Sequence, residues 1–348
     1  MKVLCVGPMW RGSNAGGLFR AMNRQGCYID VVDEFYYISL KTQTKKNKIL
    51  ERFIRPLQID EFNKAIKAKI EVFKPDVLFI YKGAFVQPQT IDFGVQHNAV
   101  PVLFFPDVSL TNHGTNIPAC LPKYERIFTT KTFGITDLET MFNVKTARFI
   151  PHGYDPDIHR KLNVTEEDRS IYGCEVSFIG AWSLKKEQWL SYLKAQLPNV
   201  HLRIWGGMWH RSNSANLKDS IMGRIIEGDL YSLAIQCSTV NLGILSEVVQ
   251  GASSGDKITS RTFHIPGANG FMLHERNEES VQYFVEDVEC GFFDGEKELV
   301  EKVSFYLAHP EKREAIKNAG HERTCKENSL DARALVVMAD MRQLIKTK

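Results

Sequence analysis

The sequence predicts a protein of the α/β class with two domains, each built on a mostly parallel β-sheet. Short apolar runs alternate with amphipathic helical stretches along almost the whole chain, and this alternation is typical of βα units. The chain has 348 residues, more than one hydrophobic core usually organises. The alternation also restarts after a polar stretch near the middle of the chain. Together these observations favour two Rossmann-like domains.

The first half of the chain contains six short apolar runs that fit buried strands of a parallel sheet. These runs are 2–7, 28–32, 76–81, 101–105, 125–129 and 146–150. Helices are expected between them. The longer segment 41–74 is polar and basic with apolar residues at helical spacing, which predicts one or two surface helices. We assign residues 1–155 to the amino-terminal domain.

A polar stretch at 151–172 holds two prolines and lacks clear periodicity, so it is predicted to be a linker. The strands expected after it are 174–179, 201–205, 239–243 and 270–273, and the helices are 184–196, 229–236, 258–266 and 296–308. Residues 170–325 form the predicted carboxyl-terminal domain. The final segment 326–348 is expected to be a helix capped by Ser329 and able to pack across either domain.

The composition limits the kinds of partner. Hydrophobic residues make up 43% and charged residues 24% of the chain, as in ordinary globular proteins, and the net charge of +3 does not call for nucleic acid or membrane as a partner. Only the basic segment 41–55 suggests a peripheral membrane contact. The seven cysteines show no zinc-ligand spacing and fit buried positions in a reducing compartment. With no leader and no membrane-spanning run, we expect a cytoplasmic protein without a bound metal.

The glycine-rich loop GPMWRGSNAGG after the first strand is one candidate ligand site, because ligands of parallel sheets bind at the carboxyl ends of the strands. Gly16 and Gly17 would let the backbone approach an acceptor or a phosphate, and Ser13 or Asn14 would cap the following helix. The loop lacks both the GxGxxG spacing and the Walker lysine. A turn that merely packs strand on helix is the alternative.

A second candidate is FFPDVSLTNHG at 104–114, where an apolar strand runs into polar residues. Asp107 and His113 are of types that transfer protons, although strand-end residues also serve as caps or loop anchors. His152, in PHGYD near the predicted domain junction, has either a ligand-facing role or a hinge role. Asp107 and His113 are therefore the candidate proton-transfer residues of the first half, and His152 is a further candidate ligand contact.

A third candidate is FIGAWSLKKEQW at 178–189, where a strand reaches Gly180 and a helix then begins. The free N–H groups of a helix N-terminus, with Lys185 and Lys186 in its first turn, suit a diphosphate. The alternative is a pair of solvated lysines on an ordinary helix. This segment is the predicted phosphate side of the second domain.

The stretch DKITSRTFHIPGANGFML at 256–273, continued at 291–323, carries a family resemblance. It resembles glycosyltransferases related to the spore-maturation protein CgeB, within the group 1, GT4-like enzymes of GT-B fold. In that family a helix reading S-x-R-x-F-E leads to a glycine and a buried strand, and Ser260, Arg261, Phe263 and Gly270 match it. The resemblance covers most of the carboxyl half and only the layout of the amino half.

The resemblance implies two domains facing across a cleft and retaining transfer of a sugar from a nucleotide-sugar donor, with no metal and no other cofactor. A helix starting near Asp256 would hold the donor, with Lys257, Ser260 and Arg261 near the diphosphate or sugar. Arg261 is also a candidate for stabilising the leaving group. The chain departs from the family where a second acidic residue follows eight positions after Asp256. His264 stands there and would hydrogen-bond a ribose less rigidly than a carboxylate.

Several alternatives remain open at this level. The acceptor can be a glycan, a protein, a lipid-linked glycan or a nucleic acid, and an inverting enzyme would use Asp107 or His113 as its base. His264 favours a catalytically inactive GT-B module that only binds. The basic segment 41–55 would suit a DNA-modifying glucosyltransferase. A nicotinamide-dependent reductase would need the glycine fingerprint that is missing.

Overall fold

The computed structural model describes residues 1–38 and 45–347, with the backbone alone described from 45 to 52. The chain divides into two units. The first unit contains Met1–Pro151, Val249–Ser254 and Asp331–Lys348, and the second contains His152–Val248 and Gly255–Leu330. Each unit is organised around its own parallel sheet. The predicted class of two Rossmann-like α/β domains is therefore confirmed at the level of the sheets.

The sheet of the first unit has six strands in the order β2-β1-β3-β4-β5-β6, and all neighbouring strands pair in parallel. The strands are β1 (Lys2–Gly7), β2 (Tyr28–Asp33), β3 (Val77–Tyr81), β4 (Val100–Phe105), β5 (Arg126–Thr129) and β6 (Ala147–Phe149). All six were expected, because each is an apolar run with few breaks. The strand order reverses between β1 and β3, which is where doubly wound sheets bind ligands.

Among the described residues, six α-helices connect these strands in the first unit. They are α1 (Asn14–Arg24), α2 (Glu34–Tyr37), α3 (Lys45–Phe73), α4 (Pro88–Gln96), α5 (Asn116–Cys120) and α6 (Thr132–Phe142). Ser13 caps α1, as predicted, by accepting a hydrogen bond from the Gly16 N–H at 3.2 Å. The segment predicted to hold one or two helices forms the single helix α3 over its described part, with Phe62, Ile66 and Ile70 on its buried face.

The basic segment 41–55, on which the predicted membrane contact rests, falls largely outside what the structure describes. Residues 41–44 lie outside the described residues, and the side chains between 45 and 52 are not described either. The membrane contact therefore stays a prediction. Across 1–38 and 45–347, none of the helices combines the length and apolar character needed to cross a membrane.

The sheet of the second unit has five parallel strands in the order β11-β10-β9-β7-β8. The strands are β7 (Cys174–Ile179), β8 (Leu202–Trp205), β9 (Ser238–Gly243), β10 (Met272–Glu275) and β11 (Gly291–Phe293). The sequence prediction missed β11, because a run of three residues gives no periodicity. It also began β10 too early, at Gly270, whose N–H still belongs to the preceding turn through a 3.0 Å bond to the Ile265 carbonyl.

Seven helices belong to the second unit. They are α7 (Glu166–Tyr172), α8 (Leu184–Gln196), α9 (Asp229–Gln236), α10 (Arg261–Gly267), α11 (Ser280–Tyr283), α12 (Gly295–Ala308) and α13 (Pro310–Glu327). The helix predicted from 258 begins at Arg261. The residues before it form a loop, in which the Asp256 N–H donates to the Ser246 carbonyl and the Thr259 N–H donates to the Thr262 hydroxyl.

The stretch 151–172, predicted to be a linker, belongs almost entirely to the second unit. Its irregular part is fastened to α9, because the Ser232 hydroxyl donates to the Ile158 carbonyl at 2.8 Å and the Leu162 N–H to Gln236 at 2.9 Å. Its last seven residues form α7 behind a capping box of Thr165 and Asp168. The missing periodicity therefore reflects an anchored loop and not a free connection.

The final segment forms the helix α14 (Leu330–Thr347), which belongs to the first unit from Asp331 onward. The Asp340 carboxylate on this helix forms ion pairs with Arg126 at 2.9 Å and with Arg148 at 2.6 Å. The helix itself was predicted. The expectation that all seven cysteines are buried fails at Cys325, which is exposed, and holds at the six others.

Candidate functional site

Arg261 lies at the carboxyl edge of the second sheet, at the start of α10. Its Nη2 donates to the Ile244 carbonyl, just past β9, at 2.8 Å, and its guanidinium lies 5.3 Å from the centre of the Phe178 ring. A Cβ atom at Gly180 would come within 2.7 Å of Arg261 Nη1, so the guanidinium keeps this position only because residue 180 is a glycine. The structure thus brings together the predicted residues Gly180 and Arg261. The Nε atom of Arg261 is buried without a hydrogen-bond partner.

Lys186 supplies a second buried cation at this edge. Its ammonium donates to two neutral oxygens, the Ser246 hydroxyl at 2.9 Å and the Ala181 carbonyl at 3.3 Å. Burial first, and then the charge of Arg261, lower the pKa of Lys186 to about 7, against the opposing charges of Asp256 and Glu247. A bound anion would stabilise the charged form of Lys186 and pair with both cations.

The other two predicted lysines are engaged elsewhere. Lys185 forms an ion pair with Glu275 at 2.8 Å, and Lys257 forms one with Glu278 at 2.9 Å. Glu275 also accepts the Leu245 N–H at 2.9 Å, which holds its carboxylate in place. A role of these lysines in donor binding stays a prediction.

The N-terminus of α8, predicted to bind a diphosphate, already faces a carboxylate of the chain. Glu247 accepts the Ser183 hydroxyl at 2.6 Å and the Lys185 N–H at 3.4 Å. Burial raises the pKa of Glu247, but its hydrogen bonds from Ser183 and the backbone outweigh burial, and the pKa is lowered. The helix end therefore already holds a negative charge from the chain itself, and binding of a diphosphate there stays a prediction. A diphosphate at this point would have to share the space with Glu247.

His264 lies one turn after Arg261 on α10, inside a cluster of buried rings. It stacks on His159 with ring centres 3.7 Å apart and meets the edge of Tyr231 at 5.8 Å. Burial lowers the pKa of both imidazoles, that of His159 to about 3, so both are neutral at pH 7. His264 Nε2 and the Tyr231 hydroxyl are buried without partners. Such atoms are rare in folded proteins and mark places where a ligand can bind.

Three polar side chains meet at the carboxyl edge of the first sheet. Asp107, after β4, accepts from Lys82 at 2.7 Å and from His113 Nε2 at 3.0 Å. Burial raises the pKa of Asp107, but the hydrogen bond from His113 and the charge of Lys82 outweigh it and hold that pKa well below its usual value. Lys82 has a left-handed backbone with φ of 66°, which is uncommon outside glycine. The predicted pair Asp107 and His113 is thus assembled around a lysine that the prediction lacked.

The remaining predicted site residues are Gly16, Gly17, His152, Asp256 and Ser260. Gly16 and Gly17 are buried in the first turn of α1, and His152 is buried in the second unit. Asp256 acts on Lys186 and Arg261 through its charge, and Ser260 directly precedes α10. Within the residues that the structure describes, no group of three His, Cys, Asp or Glu side chains is placed to hold a metal ion.

Three residues of these clusters were not among the predicted site residues. They are Lys82, His159 and Tyr231. Lys82 directly follows a predicted strand, so the rule that ligands bind at carboxyl edges would have selected it. Lys186 was named with Lys185 at the start of the helix, and its place on the buried stripe of α8 with Leu190 and Leu193 is what distinguishes the two lysines. His159 and Tyr231 come from distant segments, and no sequence signal marks them.

The comparisons with known proteins agree with this fold. Residues 185–339 match the model of a family described as glycosyl transferase-like. Among solved structures, a glycosyltransferase from Rickettsia africae shares 12% identity over 100% of this chain and 99% of its own, with a TM-score of 0.66. A sucrose-phosphate synthase from Thermosynechococcus elongatus shares 13% identity over 100% of both chains, with a TM-score of 0.68.

Anabaena HepE, solved in complex with UDP-glucose, shares 9% identity over 99% of this chain and 100% of its own, with a TM-score of 0.66. A search of curated proteins finds no match. The chain has the α/β fold class of the GT-B glycosyltransferases, and part of it matches a glycosyl transferase-like family model. The finer resemblance to CgeB relatives stays a prediction.

Proposed function

We propose that the chain is a glycosyltransferase that takes a sugar from a nucleotide-sugar donor bound by the second unit. The observation that carries this proposal is the pair of Arg261 and Lys186, two buried cations that bind neutral oxygens at the carboxyl edge of a parallel sheet. A nucleoside diphosphate leaving group gains negative charge as the glycosidic bond breaks. Positioned cations stabilise that charge in the transition state, and they do so most strongly where water is excluded.

The reaction breaks the bond between the sugar C1 and the diphosphate oxygen and forms a bond from C1 to an acceptor hydroxyl oxygen. The hydroxyl proton passes to the leaving diphosphate, which leaves with both electrons of the broken bond. This route gives retention and needs neither a metal nor a strong protein base. Asp107 with His113 is the base of the alternative, inverting route, but the lowered pKa of Asp107 makes its carboxylate a weak proton acceptor, which favours the retaining route.

The nucleoside would lie beside α10. His264 Nε2 and the Tyr231 hydroxyl are unpartnered, and a ribose offers hydroxyl groups that can both donate and accept. UDP-glucose is the first donor to test, because HepE was solved with it. The buried thiols support the expected cytoplasmic location.

The experiment is a thermal-shift panel of UDP-, GDP-, ADP- and dTDP-glucose, run on the wild type and on Arg261→Met. A ligand that binds only the native state raises the melting temperature. Arg203→Met is a matched control, because Arg203 also lies in the second unit and its guanidinium also donates to a backbone carbonyl, that of Ile171. A shift by one donor, lost in Arg261→Met and kept in Arg203→Met, supports the proposal. No shift with any donor at millimolar concentration contradicts it.

A binding module without catalysis is the second candidate. One observation favours it: His264 stands where the glycosyltransferase family that the sequence resembles has an acidic residue. Such a module would bind the donor and release no nucleotide. Release of UDP from UDP-glucose, followed by a coupled assay with and without candidate acceptors, separates the two functions.

A further inference from the structure

Two aromatic side chains are exposed at the carboxyl edge of the first sheet. Trp10 lies in the loop after β1 and Phe35 at the start of α2, directly after β2. Trp10 is 37% and Phe35 51% exposed, and their ring centres are 5.8 Å apart in an edge-to-face arrangement. The loop after β1 also adjoins the point where the strand order reverses. Paired exposed rings at a ligand-binding edge point to a binding surface.

The chain holds this aromatic pair in place through its backbone. One oxygen of Asp33 accepts the Met9 N–H at 3.0 Å and the Phe35 N–H at 2.9 Å, which ties the two segments together. The Ser13 N–H donates to the Trp10 carbonyl at 2.9 Å and closes the loop. None of these bonds depends on the rings themselves. The rings are therefore presented in a fixed arrangement, which reduces the entropy lost when a ligand binds.

Polar groups follow the aromatic pair along the same edge. Lys82 directly follows β3, the neighbour of β1, and Asp107 and His113 lie in the loop after β4, the next strand of the sheet. Because neighbouring strands are about 4.8 Å apart, this group of three polar residues begins within about 10 Å of the end of β1. The edge thus offers an apolar face followed by hydrogen-bonding groups.

We propose that the aromatic pair is a sugar-binding subsite and that the acceptor is a carbohydrate. One ring of the acceptor packs its C–H face on Trp10 and Phe35, while a hydroxyl of the same ligand approaches Asp107 and His113. Sugars combine apolar C–H faces with hydroxyls, which matches this edge. The inference rests on the proposed glycosyltransferase function and specifies its acceptor.

The surroundings argue against other occupants. Two rings are far too small for a stable protein interface, which buries about 1,200 Å² or more. Nucleic acid bases also stack on aromatic rings, but they come with a phosphate backbone that needs cations nearby. The pair adjoins the acidic residues Asp33 and Glu34 on one side and the basic residue Arg11 on the other, so its surroundings carry both signs of charge and not a basic surface. A neutral sugar fits these mixed charges.

The test measures binding of the full chain to an array of immobilised oligosaccharides, with a 20-nucleotide single-stranded DNA and phosphatidylglycerol-containing vesicles as further arms. Trp10→Ala and Phe35→Ala are compared with the wild type. Tyr28→Ala is the matched control, because Tyr28 is 65% exposed but lies at the amino end of β2, on the opposite edge. We expect at least one glycan to bind the wild type and Tyr28→Ala equally, and each edge variant about tenfold more weakly.

Melting temperatures establish that the variants are folded, and the donor thermal shift is measured on the same proteins. Loss of glycan binding with an unchanged donor shift supports the subsite. If no donor binds the wild type, the proposed function fails, while a glycan dependence on Trp10 would still stand. The proposal is overturned by an array without any bound glycan, by glycan binding that ignores both substitutions, or by DNA or vesicle binding that depends on Trp10 instead.

Discussion

The carboxyl edges of the two sheets occupy equivalent places in their units but differ in chemistry. In the second unit, Arg261 and Lys186 are buried against neutral oxygens, and one guanidinium nitrogen has no partner. In the first unit, Asp107 is paired with Lys82 and His113, and aromatic rings are exposed nearby. One edge favours a bound anion and the other a neutral ligand. The same topology thus yields two sites whose ligands follow from charge pairing and not from the fold.

The comparison is tested most strongly by the two adjacent lysines of α8. Lys186→Met removes a cation bound only to neutral oxygens, and we expect donor affinity to fall about a hundredfold, as for other charge-assisted phosphate contacts. Lys185→Met removes a cation already paired with Glu275 and is expected to change affinity less than about threefold. Titration calorimetry measures both. Equal losses of donor affinity in the two variants would show that Lys186 contributes no more to donor binding than the ion-paired Lys185.

Donor binding should also depend on pH through Lys186. Because its pKa in the free protein is about 7, the Lys186 side chain is mostly the neutral amine at pH 8.5. A bound diphosphate favours the charged ammonium form. Binding therefore takes up a proton, and affinity for UDP-glucose should rise as pH falls from about 8.5 to about 6.5, by up to about tenfold per pH unit. Calorimetry in two buffers of different ionisation enthalpy measures this uptake. Lys186→Met should abolish it, and an uptake that persists in that variant contradicts the assignment.

The same lowered pKa has a consequence for folding. The unfolded chain keeps Lys186 protonated up to the ordinary lysine pKa of 10.5, while in the folded protein the pKa is lowered to about 7. Between these values the unfolded state binds more protons, so this group makes stability rise with pH. The burial penalty is fully present below pH 7. Lys186→Met should therefore not lower the melting temperature at pH 6.5, which distinguishes its binding defect from unfolding.

Gly180→Ala probes the packing of Arg261 with a smaller expected effect. The added Cβ would lie 2.7 Å from Nη1, so the guanidinium must shift away from its position. We expect a destabilisation of about 1–3 kcal/mol and a donor affinity about tenfold lower. Gly207→Ala is the matched control, because its Cβ would meet its nearest neighbour at an ordinary 3.7 Å. Chemical denaturation and calorimetry report the two quantities, and similar results for both glycines would refute the packing argument.

The smallest effect is expected at the first edge. If the leaving diphosphate takes the acceptor proton, Asp107→Asn should lower kcat by less than about tenfold. A protein base contributes about a hundredfold or more. Steady-state kinetics measure kcat, and a larger loss would assign the base to Asp107 and His113 and would favour inversion.

Most of the fold could be predicted because buried parallel strands are continuous apolar runs. Prediction failed where tertiary contacts replace local pattern. The strand β11 has three residues, the loop before Arg261 is held by Ser246 through the Asp256 N–H, and the stretch read as a linker is fastened to α9. In each case the deciding hydrogen bonds join segments far apart in sequence.

The candidate sites were predicted in part for the same reason. Gly180, Asp107 and His113 follow from the rule that ligands bind at carboxyl edges, whereas Arg261 came from the family resemblance. The structure brings Gly180 next to Arg261 and Asp107 next to His113. The choice between Lys185 and Lys186 depends on which side of α8 is buried. The stacking of His159 on His264 depends on the path of an irregular segment that carries no pattern of its own.

The most direct test of the central claim is titration calorimetry of UDP-glucose, or of the donor found by thermal shift, into the wild type and Arg261→Met. We expect the wild type to bind the sugar nucleotide and Arg261→Met to bind it with an affinity about a hundredfold lower. The melting temperature of the free variant should be preserved. Equal affinities for the two proteins, or no binding of any sugar nucleotide by the wild type, would contradict a donor site at Arg261 and Lys186.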